Sequence, residues 1–267
     1  MHRWVGSGDT FAGHRTWQPG EDARHLDWDL FGRLDQPFVR VYEREAAESW
    51  VLLLDVSDSM DLGLAAGQSK LQLASEVVLG VAALALEARA TLTVVTSEGQ
   101  RCVVRRTADQ GELMGFLARI VASDVGLGES GGAPLGALLS AASTRERAGR
   151  VLVVGDLDEV TTDELLALDA PGRDVVVLRV LAQVELAPVE GLFGDGARVV
   201  ELTELESAES LPATVATARA YERLLGAELD HWRRVCARHR VTHHVVEAGH
   251  DTSFEDVLDA LLAGGCV

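Results

Sequence analysis

The stretch from Trp50 to Met60, Trp-Val-Leu-Leu-Leu-Asp-Val-Ser-Asp-Ser-Met, constrains the fold more than any other part of the chain. Val51 to Leu54 form a short, wholly apolar run, which suits a strand buried on both faces. The run stops at Asp55. Ser57 and Ser59 follow at alternate positions, so Asp55, Ser57 and Ser59 can converge at the end of that strand. One carboxylate and two neutral hydroxyls from a tight loop are hard oxygen ligands suited to a divalent cation such as Mg²⁺. The plainer alternative is a polar loop that caps the next helix, since Asp and Ser are favoured caps. D-x-S-x-S alone is a weak signal. At the end of an apolar strand and ahead of a long helical segment it is much stronger.

From Trp50 onward, strands and helices alternate. Ser69 to Ala88 carries Leu71, Ala74, Val77, Val78, Val81 and Leu84 at helical spacing. Leu92 to Thr96 reads as a strand, and Cys102 to Arg105 as its hairpin partner. Gly111 to Val121 reads as a helix, 124–134 as a Gly-rich loop, and Leu135 to Arg147 as another helix. Val151 to Val154 is a second wholly apolar strand, and it also ends in acids, at Asp156 and Asp158. A short helix at Asp163 to Leu168, a buried strand at Val175 to Leu181 and an edge strand at Val199 to Leu202 follow. A long helix from Pro212 to Arg238, a strand at Thr242 to Glu247 and a helix at Phe254 to Leu262 complete the pattern. This order predicts an α/β fold with a mostly parallel sheet and helices on both faces. Ligands in such sheets sit outside the carboxyl ends of the strands, where both Asp55 and Asp156 stand.

Residues 1–49 are different in kind and are predicted to form an extended N-terminal arm, with residues 50–267 as the main domain. Trp17-Gln18-Pro19-Gly20 reads as a turn. Asp22, Arg24, Asp27, Arg40, Glu43 and Glu45 crowd both charges around Trp28 and Tyr42. That pattern predicts an Arg–carboxylate network pinning the arm against the main domain, because bidentate Arg pairs hold irregular backbone well. Phe38 to Tyr42 alternates like an edge strand.

Hydrophobic residues are 47% of the chain, enough for a full core, and aromatics only 5%, so Leu, Val and Ala must fill it. The formal charge of -18 argues against a general nucleic-acid or anionic-membrane surface, both of which need cationic patches. Cys102, Cys236 and Cys266 are odd in number and widely spaced, which disfavours a disulfide framework or a zinc ribbon. No stretch is long and apolar enough to span a bilayer, and the start has no apolar signal core, so cytoplasmic residence is the expectation.

The strand-end acids and serines together resemble a von Willebrand factor A-type domain, a Rossmann-like fold. The resemblance implies a metal-ion-dependent adhesion site, made by D-x-S-x-S on the first loop, a Thr on a second and an Asp on a third. Asp55, Ser57 and Ser59 match the first element and Asp156 the third. The Thr is expected within 131–135, where Ala133 stands and offers no oxygen; Ser130 is the nearby hydroxyl that could substitute through a shifted loop or a water. This departure weakens the expected metal affinity and leaves the expected fold untouched. Upstream, Phe11, Arg15, the run from Trp17 to Trp28, Arg33 and the run from Val39 to Glu45 follow the pattern R-x-Y-x-P-G-D-D-x-R-x-I-D-W and its continuation. They are similar to the bacterial family catalogued as domain of unknown function fifty-eight. That resemblance implies a non-enzymatic adaptor working with a MoxR-type AAA+ ATPase and a client protein in a chaperone-like system, with Mg²⁺ or Mn²⁺ as the expected ion. The competing expectation is a metal-independent scaffold with a vestigial site.

An enzyme reading also exists. Gly128-Glu129-Ser130-Gly131-Gly132 fits G-x-S-x-G, and Asp156 and a later His would follow Ser130 in hydrolase order. The elbow needs a strand directly before it, and Val125-Gly126-Leu127 is too short and Gly-broken to supply one. The C-terminal histidines, His231, His239, His243, His244 and His250, are not spaced as a closed zinc set.

Overall fold

Alternation of polar and apolar residues along Phe38 to Arg44 gives the N-terminal segment its framework. In the computed structural model, which describes residues 2–5, 10–18, 21–22, 24, 26–44, 48–61, 68–122, 148–158, 160–194, 196, 198–203, 210–248 and 254–263, the chain divides into two units, Met1–Glu48 and Ser49–Val267. Among the described residues, the first has extended strands and one short α-helix. Strands β1 (His2–Val5), β2 (Thr10–Thr16) and β3 (Phe38–Arg44) form an antiparallel sheet in the order β1-β3-β2. Phe38–Arg44, expected at an edge, is therefore the central strand, because both other strands pair with it.

Helix α1 (Trp28–Leu34) is capped by Asp27, whose Oδ1 accepts the Leu30 amide at 3.1 Å. The same buried carboxylate accepts Arg40 Nε at 2.7 Å and meets His14 Nε2 at 2.8 Å. Hydrogen bonds from Arg40 and then His14 hold it well below the usual carboxylate range. Arg15 forks onto Glu21, and Arg24 pairs with Asp22. Each of these ion pairs joins two residues within this unit.

The second unit is built on six strands: β4 (Ser49–Leu54), β5 (Thr91–Thr96), β6 (Arg101–Val104), β7 (Arg150–Gly155), β8 (Asp174–Ala182) and β11 (Thr242–Ala248). They run in the order β11-β8-β7-β4-β5-β6, all parallel except the antiparallel edge strand β6. The apolar runs are central because side chains alternate between faces and both faces are covered. Leu52, Leu54, Val94, Leu152, Val154 and Val176 pack on one side against α2 (Lys70–Glu87), α3 (Gln110–Ala122) and α8 (Phe254–Ala263). Val51, Leu53, Val151, Val153, Val175 and Val177 pack on the other against α4 (Thr162–Leu166) and α7 (Val215–Arg238). Truncating one of these buried leucines to alanine costs about 2–5 kcal/mol.

Two expectations are corrected. Val199–Thr203 (β9) lies outside the main sheet and pairs antiparallel with β10 (Ser210–Thr214), so it is not an edge strand of that sheet. Pro212 sits in β10 opposite Glu201, and the long helix begins only at Val215, where Thr214 caps it through the Thr217 amide. Two short helices, α5 (Gln183–Leu186) and α6 (Pro188–Phe193), follow β8 without a sequence signal strong enough to predict them. Among the described residues no helix is long and apolar enough to cross a membrane.

Candidate metal centre

The chain passes from β4 to β5 on one side, then returns to place β7 on the other side of β4. The carboxyl ends of β4 and β7 are therefore the point where the strand order reverses, which is where open α/β sheets leave a crevice. Asp55 leaves β4 here, with its amide donating to the Val154 carbonyl at 2.8 Å. Its Oδ1 accepts the Ser57 amide at 3.0 Å, which folds the loop back over the strand end. From the other side Ser97, one residue past β5, accepts the Val56 amide at 2.9 Å. Asp55 fits because Gly155 has no side chain: a Cβ there would lie 2.4 Å from Asp55 Cβ.

Three of the predicted residues form one hydrogen-bond chain. Ser57 Oγ lies 3.0 Å from Ser59 Oγ, and Ser59 Oγ donates to Asp156 Oδ2 at 2.6 Å. Asp156 is buried beyond the end of β7, next to Gly155, whose space Asp55 occupies. Burial raises the Asp55 carboxyl, and the Asp156 charge raises it further, to about 6, against weaker lowering by hydrogen bonds from Ser57 and Ser97. Two buried acids thus compete for negative charge, a situation that a cation relieves.

A metal of the kind the resemblance implies fits the hydroxyl side. Mg²⁺ takes hard oxygen ligands. The two serine hydroxyls are hydrogen-bonded to each other at 3.0 Å, and Ser59 donates to Asp156, so two neutral oxygens and a carboxylate lie together where such an ion would be held. The acid side is different, because a cation is already there. Lys70, at the first turn of α2, is fully buried and donates from Nζ to Asp156 Oδ2 at 2.9 Å and to Glu185 Oε1 at 2.8 Å. Burial opposes its charge, but Asp156 and Glu185 outweigh burial and hold the ammonium above the ordinary lysine range. Glu185 is fixed in turn, because its Oε2 accepts the Ala182 amide at 2.5 Å.

Beyond Asp156 the loop turns at Leu157, a buried residue with φ of 64°, in the left-handed region. A non-glycine residue there costs about 1–2 kcal/mol. Arg179 braces the turn. This arginine is 1% exposed in the middle of β8, and it donates to Asp158 Oδ1 at 2.9 Å and Glu228 Oε1 at 2.7 Å.

Sequence reasoning missed Glu185, Arg179, Gly155 and Ser97, and left Lys70 without a role. A signal existed for Glu185, since it stands just past the carboxyl end of the parallel strand β8. Ser130, Ala133 and the helix expected over Leu135 to Arg147 lie outside the described residues.

A family model described as "Protein of unknown function DUF58" matches residues 13–228. The chain belongs to the DUF58 family. No curated protein matches it. Two solved structures resemble this DUF58 protein at low similarity. An aerotolerance-related membrane protein from Bacteroides fragilis, carrying multiple mutations to serine, is 14% identical, with coverage of 81% of this chain and 98% of that one and a TM-score of 0.47. An uncharacterized membrane-spanning protein from Vibrio fischeri is 11% identical, with coverage of 80% and 96% and a TM-score of 0.22.

Proposed function

We propose that this DUF58 protein is a von Willebrand A-type interaction module, a non-enzymatic adaptor that works with a MoxR-type AAA+ ATPase. Contact is made through a divalent ion, Mg²⁺ or Mn²⁺, held at Asp55, Ser57, Ser59 and Asp156. The observation that carries the reading is the convergence of the Ser57 and Ser59 hydroxyls on Asp156, beside Asp55, at the reversal point of the sheet. The ion supplies an open coordination position that a partner's carboxylate can fill. The protein's own residues do the rest. Ser57 and Ser59 offer neutral oxygens, Asp156 accepts the Ser59 hydrogen bond, and Asp55 fixes the loop through the Ser57 amide. A metal-bridged carboxylate gives a directional contact on a surface whose net charge of -18 would otherwise repel an acidic partner.

One observation favours a second reading. The Lys70 ammonium already compensates Asp156, as it would in a metal-independent scaffold whose site residues only cap and tie the loops. The two readings separate in a binding experiment with a purified MoxR-type ATPase, run in Mg²⁺ and in chelator. The adaptor reading expects binding in Mg²⁺ that is lost in chelator and in Ser57→Ala/Ser59→Ala. Binding indifferent to both favours the scaffold, and no binding in any nucleotide state refutes the ATPase partnership.

A further inference from the structure

Asp156, Asp158 and Glu185 each bring a carboxylate oxygen within 4.8 Å of the other two, the spacing of a cation site. Acid clusters are common without an ion. This one contains a cation that the chain itself supplies. The Lys70 ammonium touches Asp156 Oδ2 at 2.9 Å and Glu185 Oε1 at 2.8 Å, with its whole side chain out of solvent. The third acid, Asp158, is engaged by Arg179.

The choice of residue is informative. The chain has 24 basic side chains, 23 of them arginine, and its single lysine stands at this point. A guanidinium is a wide planar fork, whereas an ammonium is a compact point charge with three donors, the better substitute for a metal ion enclosed between carboxylates. Position follows from the helix. The capping box of Ser69 and Gln72 fixes the first turn of α2, so the Lys70 stem enters the crevice at a set place.

We propose that Lys70 is the resident cation of the Asp156–Asp158–Glu185 cluster, and that by filling it Lys70 sets the capacity of the centre at one divalent ion, on the Ser57–Ser59 side. The ion at the serines rests on the metal reading above; the occupation of the acid cluster by Lys70 does not. Lys70 is a specificity-determining residue in this scheme: it decides how many ions enter and where.

The test is equilibrium binding of Mn²⁺ to the full chain, with free ion counted by its paramagnetic resonance signal. The proteins are the parent, Lys70→Met, and Lys70→Met/Glu185→Gln. The expected result is one ion in the parent, two in Lys70→Met, and one again in the double variant. Adding Ser57→Ala/Ser59→Ala to Lys70→Met should remove one ion and leave the other. One ion in both parent and Lys70→Met overturns the proposal and leaves the serine-side metal reading standing. No ion in the parent and one in Lys70→Met refutes the serine site and upholds Lys70 as the resident cation. No ion in either refutes both. If Lys70→Met is unfolded in chelator, refolding on addition of Mn²⁺, followed by far-ultraviolet circular dichroism, supports the proposal, and failure to refold in millimolar Mn²⁺ overturns it.

Discussion

Replacing Asp55 with asparagine should stabilise the metal-free protein at alkaline pH and lose that advantage in acid. Asp55 is 5% exposed, and burial together with the Asp156 charge raises its carboxyl from 3.8 to about 6. Because the folded-state value lies above the unfolded one, the contribution of Asp55 to stability is fully present below about pH 4 and is lost as pH rises through about 6. The gap of roughly two pH units corresponds to about 3 kcal/mol at 1.36 kcal/mol per unit. Asparagine keeps an acceptor for the Ser57 amide and carries no charge, so Asp55→Asn should gain up to about 3 kcal/mol over the parent near pH 8. In a chain of this size that is ~6–12 °C in the unfolding midpoint. Denaturant unfolding of both proteins in chelator at a series of pH values isolates the effect, since every other titrating group is shared. Mg²⁺ should close the gap and then reverse the order, because an ion stabilises the parent by about 2.7 kcal/mol at one hundred times its dissociation constant and about 4.1 kcal/mol at one thousand times. A difference that does not vary with pH, or a variant less stable than the parent at pH 8 in chelator, would refute the charge-burial reasoning.

Other substitutions test neighbouring parts of the account. Gly155→Ala forces a Cβ to within 2.4 Å of Asp55 Cβ, both set by backbone, and should cost about 1–3 kcal/mol and abolish any metal response in thermal unfolding. Arg179→Met keeps much of the volume but releases Asp158 and Glu228; as both acids are about half exposed and rehydrate, the loss should be roughly 1–3 kcal/mol, read by denaturant midpoint. Asp27 has the opposite sign to Asp55. Its carboxyl is held low by Arg40 and His14, so its contribution is present above the unfolded value and is lost as pH falls through the folded one. Asp27→Asn should therefore speed hydrogen exchange at the Leu30 amide at neutral pH, with parent and variant converging in strong acid.

Much of the sheet was readable because its strands are apolar almost throughout. Val51 to Leu54 and Val151 to Val154 have no polar residue, and Val175 to Leu181 has one, Arg179; only a strand covered on both faces tolerates so apolar a run. Their ends were readable for the same reason, since Asp55 and Asp156 break the runs abruptly. What sequence could not reveal was pairing across long separations. Lys70 and Glu185 are 115 residues apart and meet only because α2 and α5 both start at the carboxyl edge of the sheet. Arg179 breaks an otherwise apolar strand, yet its partners, Asp158 and Glu228, come from a loop and a helix that no local pattern connects. Pro212 misled in a different way: proline is favoured at a helix start, but strand pairing to Glu201 took it first.

The central claim is that Ser57 and Ser59, with Asp55 and Asp156 behind them, hold a divalent ion. Thermal unfolding in chelator, then in Mg²⁺ or Mn²⁺, tests it on the parent, Asp55→Ala and Ser57→Ala/Ser59→Ala. A ligand that binds only the folded state must raise its stability by mass action. The account predicts a midpoint that rises with metal in the parent and stays fixed in both variants. A parent midpoint that does not move up to millimolar metal, or one that moves equally in all three proteins, would contradict it.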